Sequence, residues 1–390
     1  MGKREGKVEG EEREAPLHGD VLEAIVSHVS TMDLVPASHV SKTWRSAVLS
    51  SLRRSPRRAP WLFLHLQSSR DPSKASTHAY DPHSRAWTPL PHVPRVPPRV
   101  PVPLRSSPLL HALSISRLAL SADPFGTAWR ELDPPRVWRR DPVVAAVGPA
   151  AVVVVAGGAC EFEDDPCAVE VHRGGGWEEA EALPEVFKGS AAATWLSAAS
   201  SDRAVYVLEK QSGWASRLDP ETGLWGPTRQ LRPDPSVCLS AISFIDHERL
   251  VLVGLCGSDS DSGLRPESLK LWEVDSETLE VGSEVGRMGK EMVEGLVGKE
   301  EEGSYSWGMS SIGFASTAGF GYVYNPANPR KDIFSCEFAA TDTGSDGGCR
   351  WERIPSPPAV VEANPTHRMV FRCSTVGMDE LKKLLRPPRR

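Results

Sequence analysis

The chain has 390 residues, 40% of them hydrophobic, which allows one large core and one small one. Its 45 basic and 51 acidic residues leave a net charge of −6, which excludes a nucleic-acid-binding surface of the usual basic kind. Seven scattered cysteines with no Cys-x-x-Cys spacing suit reduced thiols in a cytoplasmic or nuclear compartment, not a disulfide framework or a metal centre.

Residues 1–14 mix both charges without an apolar core, so they do not read as a signal peptide and are expected as a disordered tail. A compact helical unit follows over residues 15–55. Val21, Leu22, Ile25, Val26 and Val29 fall at i, i+1, i+4, i+5 and i+8, one face of a helix. Asp20 stands at its start, where a carboxylate suits free amides and the positive end of the dipole. Ser30 and Thr31 break the pattern, and Met32, Asp33 and Leu34 open a second short segment. Ser38 is expected to cap a third helix that sets Val40, Trp44, Ala47, Val48 and Leu52 on one side. Pro36 and Pro56 limit extension around it. Units below roughly 40 residues need disulfides, a metal or a partner to be stable. Neither a cysteine pair nor a ligand set lies here, so the apolar face is covered by another protein or by the domain that follows. Arg53, Arg54, Arg57 and Arg58 then make a basic linker.

From residue 60 the sequence repeats. Asp81-Pro82, Asp123-Pro124 and Asp219-Pro220 each precede a tryptophan by the same interval, since 87−81, 129−123 and 225−219 all equal 6. Gly174-Gly175-Gly176-Trp177 is a variant of the unit, and Asp275 to Val281 keeps the interval with valine replacing tryptophan. Anchors 87, 129, 177, 225 and 281 lie 42, 48, 48 and 56 residues apart, and Trp351 makes a sixth. Asp-Pro sets a tight turn, because proline fixes φ and aspartate accepts bonds from nearby amides. Upstream lie strand candidates at 61–66, 113–120, 152–156, 204–208, 250–253 and 321–324, the third ending in Gly157-Gly158. A period of 40–50 residues with several strands per unit specifies a β-propeller. Six blades fit residues 60–376, and the long gap from 281 to 351 leaves room for a seventh. Met369–Ser374 is expected to complete the first blade and close the ring, which removes an open sheet edge.

Three further stretches stand out. Eight prolines between Pro89 and Pro108 read as a stiff connection between the first two blades. Gly282 to Gly303 reads as a surface insertion, with Met288, Met292, Val293, Leu296 and Val297 on one helix face covering core. Residues 377–390 read as a short helix and a basic tail.

Leu17 to Trp44 resembles the F-box, and Gly157-Gly158 with Trp177 some 20 residues later resembles a kelch repeat. Together they resemble the plant kelch-repeat F-box proteins. The implied fold is mainly β: a six-bladed kelch-type β-propeller preceded by a small α-helical F-box. The implied role is substrate recognition in a Skp–cullin–F-box ubiquitin ligase. The F-box would dock a Skp-type adaptor, and through it a cullin, while the propeller binds client proteins for ubiquitination and proteasomal degradation. Leu17, Asp20, Val21, Ile25, Leu34, Val40 and Trp44 match the family's adaptor-facing positions. His18 departs from the family, whose F-box opens Leu-Pro, and so loses proline's preset helix geometry. The words at 33–44 and 373–381 resemble the branch that acts on chalcone synthase and other phenylpropanoid enzymes. The resemblance implies no catalytic residue, cofactor, metal, membrane or nucleic-acid partner. It does not identify the client-binding residues. A kelch scaffold or inhibitor that binds the same clients outside a ligase is the competing reading.

Overall fold

The structure is a computed structural model that describes residues 19–54, 59–72, 74–90, 103–106, 109–148, 152–159, 165–260, 263–298, 312–338, 348–362 and 367–385. The tail 1–14, Leu17 and His18, the proline run from 91 to 102, Arg57, Arg58 and residues 386–390 lie outside them. The chain divides into two units, Met1–Arg57 and Arg58–Arg390.

The first unit holds three helices, α1 (Gly19–His28), α2 (Leu34–Val40) and α3 (Lys42–Arg54), with α3 packed against both others. The cap of α3 is Ser41, not Ser38. The Trp44 amide donates to Ser41 Oγ at 3.2 Å, whereas Ser38 lies inside α2 and its hydroxyl donates to the Val35 carbonyl at 2.7 Å. Ser41 is extended, so the chain can turn there, and that places Val40 at the end of α2 rather than on α3.

The second unit is a six-bladed propeller. Blade 1 pairs Trp61–Ser68, Ala75–Asp81 and Ala86–Pro89 with the C-terminal strand His367–Ser374, which forms its innermost strand. That strand runs antiparallel to Trp61–Ser68 over eight residue pairs, from Trp61 with Ser374 to Ser68 with His367, so the ring closes as expected. Blade 2 is built from Leu104–Ser106, Leu110–Leu113, Leu118–Ser121 and Arg130–Leu132, and blade 3 from Val143–Val147, Val152–Ala156, Val169–Arg173 and Gly176–Ala180. Blade 4 holds Leu196–Ser200, Val205–Glu209, Trp214–Asp219 and Leu224–Trp225, with Arg229–Gln230 on its third strand. Blade 5 holds Val237–Phe244, Leu250–Ser260, Gly263–Val274 and Val281–Met288, and blade 6 Gly313–Thr317, Phe320–Tyr324, Ile333–Glu337 and Arg350–Ile354. The long gap before Trp351 therefore contains no seventh sheet among the described residues.

Two local readings change. The strand expected at 113–120 is two strands, because Ser114 closes a turn: its hydroxyl takes the Arg117 amide at 3.1 Å and its own amide reaches the Arg117 carbonyl at 2.9 Å. The insertion expected from Gly282 begins as the outer strand of blade 5, Val281–Met288. Helix α4 (Lys290–Val297) starts only after it, and Val293 and Leu296 are its buried residues, as a core-covering helix requires.

The repeat anchors sit on or beside the outermost strand of each blade. Asp81, Asp219 and Asp275 accept the amide two residues on, at 3.0, 2.8 and 2.9 Å. Asp123 accepts the Phe125, Thr127 and Ala128 amides. Three of the repeat tryptophans tie neighbouring blades together by a hydrogen bond, whereas the Trp129 indole donates to the Gly126 carbonyl of its own turn at 2.9 Å. The indole N–H groups of Trp87, Trp177 and Trp225 donate to the carbonyls of Pro355, Asp133 and Glu181 at 2.7, 2.9 and 2.9 Å. Each acceptor lies four residues beyond the previous blade's tryptophan, since 355−351, 133−129 and 181−177 all equal 4. The repeat spacing thus encodes a bond between blades as well as a turn within one.

Gly157 and Gly158 have φ of +64° and +75°. A Cβ on Gly158 would stand 2.4 Å from the Asp141 carbonyl carbon, so glycine is required by both conformation and space. Beside them Arg139 and Glu170 form an ion pair at 3.0 Å with 0% and 4% of each side chain exposed. Arg139 also donates to the carbonyls of Gly157 and Ala168, and Glu170 accepts the Arg136 and Val137 amides. This pair pins the linker from blade 2 onto blade 3.

Two buried histidines make the propeller acid-sensitive. His65 in blade 1 contacts Thr77 Oγ1 at 2.9 Å, and burial, with Arg372 adding to it, pushes its pKa down to about 3. Burial likewise pushes His111 in blade 2 down to about 4, although its Nδ1 lies 2.9 Å from the Leu109 carbonyl. In the unfolded chain both titrate near 6.5. Below that pH the unfolded state takes up protons that the native state refuses, so folding weakens as pH falls towards 4. Each histidine contributes up to about 1.4 kcal/mol per pH unit. Denaturant titrations of His65→Gln should show a stability-against-pH slope between pH 6.5 and 4 that is shallower than wild type by about one proton. An unchanged slope would contradict the assignment.

Candidate functional site

The candidate site is the surface of the three-helix unit. The single apolar face expected on α1 is split. Leu22 and Val26 are 1% and 0% exposed, while Val21 and Ile25 are 50% and 44% exposed. The two pairs are offset by one residue, hence by about 100° around the helix, so one line turns inward and the other outward. Val21 and Ile25 are one turn apart and form a continuous apolar step on the surface. Asp20 is exposed in the first turn of α1. Val40, at the end of α2, is 65% exposed.

The remaining expected positions behave differently. Leu34 is fully buried, so it supports the surface from beneath instead of offering contact. Trp44 is half-buried. Leu17 falls outside the described residues. Leu49 on α3 is 44% exposed and was not among the expected positions. Its signal in the sequence is its phase: it follows Ala47 and Val48, which are buried, and falls off their stripe. The ends of α1 and α3 are tied by Arg54 and Glu23 at 2.8 Å, a partly exposed pair that contributes at most about 1 kcal/mol.

Val21, Ile25 and Val40 are apolar and exposed, so this surface suits association. Among the described residues, no group of three or more His, Cys, Asp or Glu side chains is placed to hold a metal. No helix among them is long and apolar enough to cross a membrane.

Comparison with known proteins matches residues 17–55 to the F-box domain. An F-box/kelch-repeat protein of Arabidopsis thaliana is 35% identical over 387 residues, covering 96% of this chain and 94% of that protein. The chain belongs to the F-box/kelch-repeat proteins. Solved structures resemble it far less. A protein from Lactobacillus plantarum aligns with 80% of this chain and 99% of its own at a TM-score of 0.41 and 10% identity. A putative 6-phosphogluconolactonase from Bacteroides uniformis aligns with 76% and 83% at 0.39 and 11%. Both likenesses are too weak to carry any argument. For an F-box/kelch-repeat protein, the F-box implies binding of a Skp-type adaptor, and the exposed Val21, Ile25 and Val40 are apolar groups suited to being covered by one.

Proposed function

We propose that the chain is the substrate-recognition subunit of a Skp–cullin–F-box ubiquitin ligase. The observation that carries this reading is the exposed Val21–Ile25 step on an F-box helix in a unit separate from the propeller. Exposed apolar side chains at successive turns cost hydration free energy until a partner covers them. The adaptor-facing set is Asp20, Val21, Ile25, Val40 and Trp44 at the surface with Leu34 behind them, together with Leu17, which is included on its match to the family's sequence alone. The chain supplies proximity and leaves ubiquitin transfer to other subunits. Tethering raises the client's effective concentration near the charged conjugating enzyme, to the order of millimolar for short links. The client class is chalcone synthase and related phenylpropanoid enzymes, on the likeness of residues 33–44 and 373–381 to that branch.

The test separates the two units. Residues 58–390, expressed with proteasome inhibition, should still capture client proteins but should no longer support their ubiquitination. Loss of client capture along with ubiquitination would show that recognition does not reside in the propeller.

A further inference from the structure

Trp87, Trp177 and Trp225 bond to the previous blade by one rule, and blade 6 breaks it. The repeat spacing reserves for the Trp351 indole the carbonyl four residues beyond the blade 5 anchor, which is Val285, since 285−281 = 4. A different donor holds that carbonyl: the Cys349 thiol donates to it at 3.2 Å. The Trp351 Nε1 is buried and, among the described residues, has no acceptor. A buried donor left unpaired is costly, so the exchange of indole for thiol calls for a physical reason.

That reason is a second thiol. In the pairing of the third and fourth strands of blade 6, Cys336 stands opposite Trp351 and Glu337 opposite Arg350. Side chains alternate along a strand, so Cys336, Cys349 and Trp351 share one face, which packs with apolar residues of blade 5. The thiols of Cys336 and Cys349 meet there through a hydrogen bond. Cys336 is 0% exposed, and burial, with the Cys349 thiol adding to it, holds its own thiol well above the usual cysteine pKa. Cys349 is half-buried. Blade 5 makes room for it, because a Cβ on Gly286 in its outer strand would collide with the Cys349 sulfur. Both cysteines are free thiols. Blade 6 thus holds a partly accessible thiol, a sheltered thiol in contact with it, and an unused donor two residues along. An attacked cysteine beside a resolving one has this arrangement.

We propose that Cys336 and Cys349 form an oxidant-responsive pair, which a hydroperoxide converts to a disulfide that locks the outer strand of blade 6. Cys349, as the thiolate, attacks the peroxide. A sulfur–oxygen bond forms as the oxygen–oxygen bond breaks, and the departing oxygen takes a proton and leaves as alcohol or water. The Cys336 sulfur then bonds to the Cys349 sulfur, and the hydroxyl it displaces leaves with the Cys336 proton as water. The two sulfurs give up two electrons between them, and the hydroperoxide is reduced to one alcohol and one water, or to two waters if it is hydrogen peroxide. The Val285 carbonyl loses its thiol donor and becomes free for the Trp351 indole, which then ties blade 6 to blade 5 as Trp87, Trp177 and Trp225 tie theirs. Thiols of a reducing compartment reopen the bond, so the lock is reversible. It belongs to the propeller and does not depend on adaptor binding.

The test uses the full chain, reduced, desalted and treated with hydrogen peroxide, then unfolded, alkylated and digested with trypsin. Peptide 332–350 carries Cys336 and Cys349 as its only cysteines. It should lose two hydrogens and take up no alkylating group, and dithiothreitol added before alkylation should reverse both changes. At the same dose Cys349→Ser should leave Cys336 free to be alkylated, and Cys336→Ser should leave Cys349 as a sulfenic acid that dimedone captures. The thermal midpoint of the oxidised chain should rise by roughly 2–4 °C. Trp351→Phe should lose part of that rise while still forming the disulfide. Survival of both thiols in the wild-type peptide, or a link from Cys336 to Cys373 in its place, would overturn the proposal, and this digest decides even if a serine variant fails to fold. A disulfide that forms without raising the midpoint would overturn the lock, and an undiminished rise in Trp351→Phe would contradict the transfer of the Val285 carbonyl to the indole.

Discussion

Glu170→Ala is expected to lower the stability of the propeller by about 3–5 kcal/mol, the usual result of removing one partner from a buried ion pair. For a unit the size of Arg58–Arg390 that is a fall of roughly 4–7 °C in thermal midpoint. The substitution strands the Arg139 guanidinium without a counter-charge and orphans the Arg136 and Val137 amides at once. Glu170→Gln should lose less, because the amide oxygen still accepts one of those donors. Arg139→Met combined with Glu170→Leu should recover part of the loss, because the buried charge disappears with its partner. Calorimetry on the three variants checks the order. Equal midpoints for Glu170→Ala and wild type would show that the pair contributes nothing.

The second large effect is on association. Val21→Asp with Ile25→Asp should reduce adaptor capture from cell extract by about a thousand-fold, if each side chain contributes about 2 kcal/mol at the centre of an interface. The helical unit should survive, because both side chains already face water at 50% and 44% exposure and its interior is built from Leu22, Val26, Leu34 and Val48. Leu34→Asp should also abolish capture, but by unfolding the unit, and loss of α-helical circular dichroism separates the two causes. Client capture by the propeller should be unchanged in the Val21 and Ile25 variant.

Much of this architecture can be read from the sequence because its repeat has a physical cause at each position. Asp-Pro fixes a turn, the tryptophan after it bonds to the previous blade at Trp87 and Trp225, and the period follows from four short strands. The closing strand was legible too, since an apolar segment after the last tryptophan has only the open edge of blade 1 to pair with. What stayed hidden depends on contacts between distant residues. Arg139 and Glu170 are 31 positions apart and look like ordinary surface charges in the sequence. Arg368 and Arg105 belong to opposite ends of the propeller sequence and meet only because the ring closes. The split of α1 into an inward and an outward line was missed for a different reason. A run of adjacent apolar pairs at i, i+1, i+4 and i+5 is wider than one face can bury in so thin a unit, and the excess marks the surface. Leu34 shows the converse, since a family-matched position need not be an exposed one.

The most direct test is a calorimetric titration of the purified full chain with a purified Skp-type adaptor. The account predicts saturable one-to-one binding at micromolar or tighter affinity for the wild-type chain, about −8 kcal/mol or better. It predicts no measurable heat for the Val21→Asp, Ile25→Asp chain. Absence of binding by the wild-type chain, or equal affinity for both chains, would contradict it.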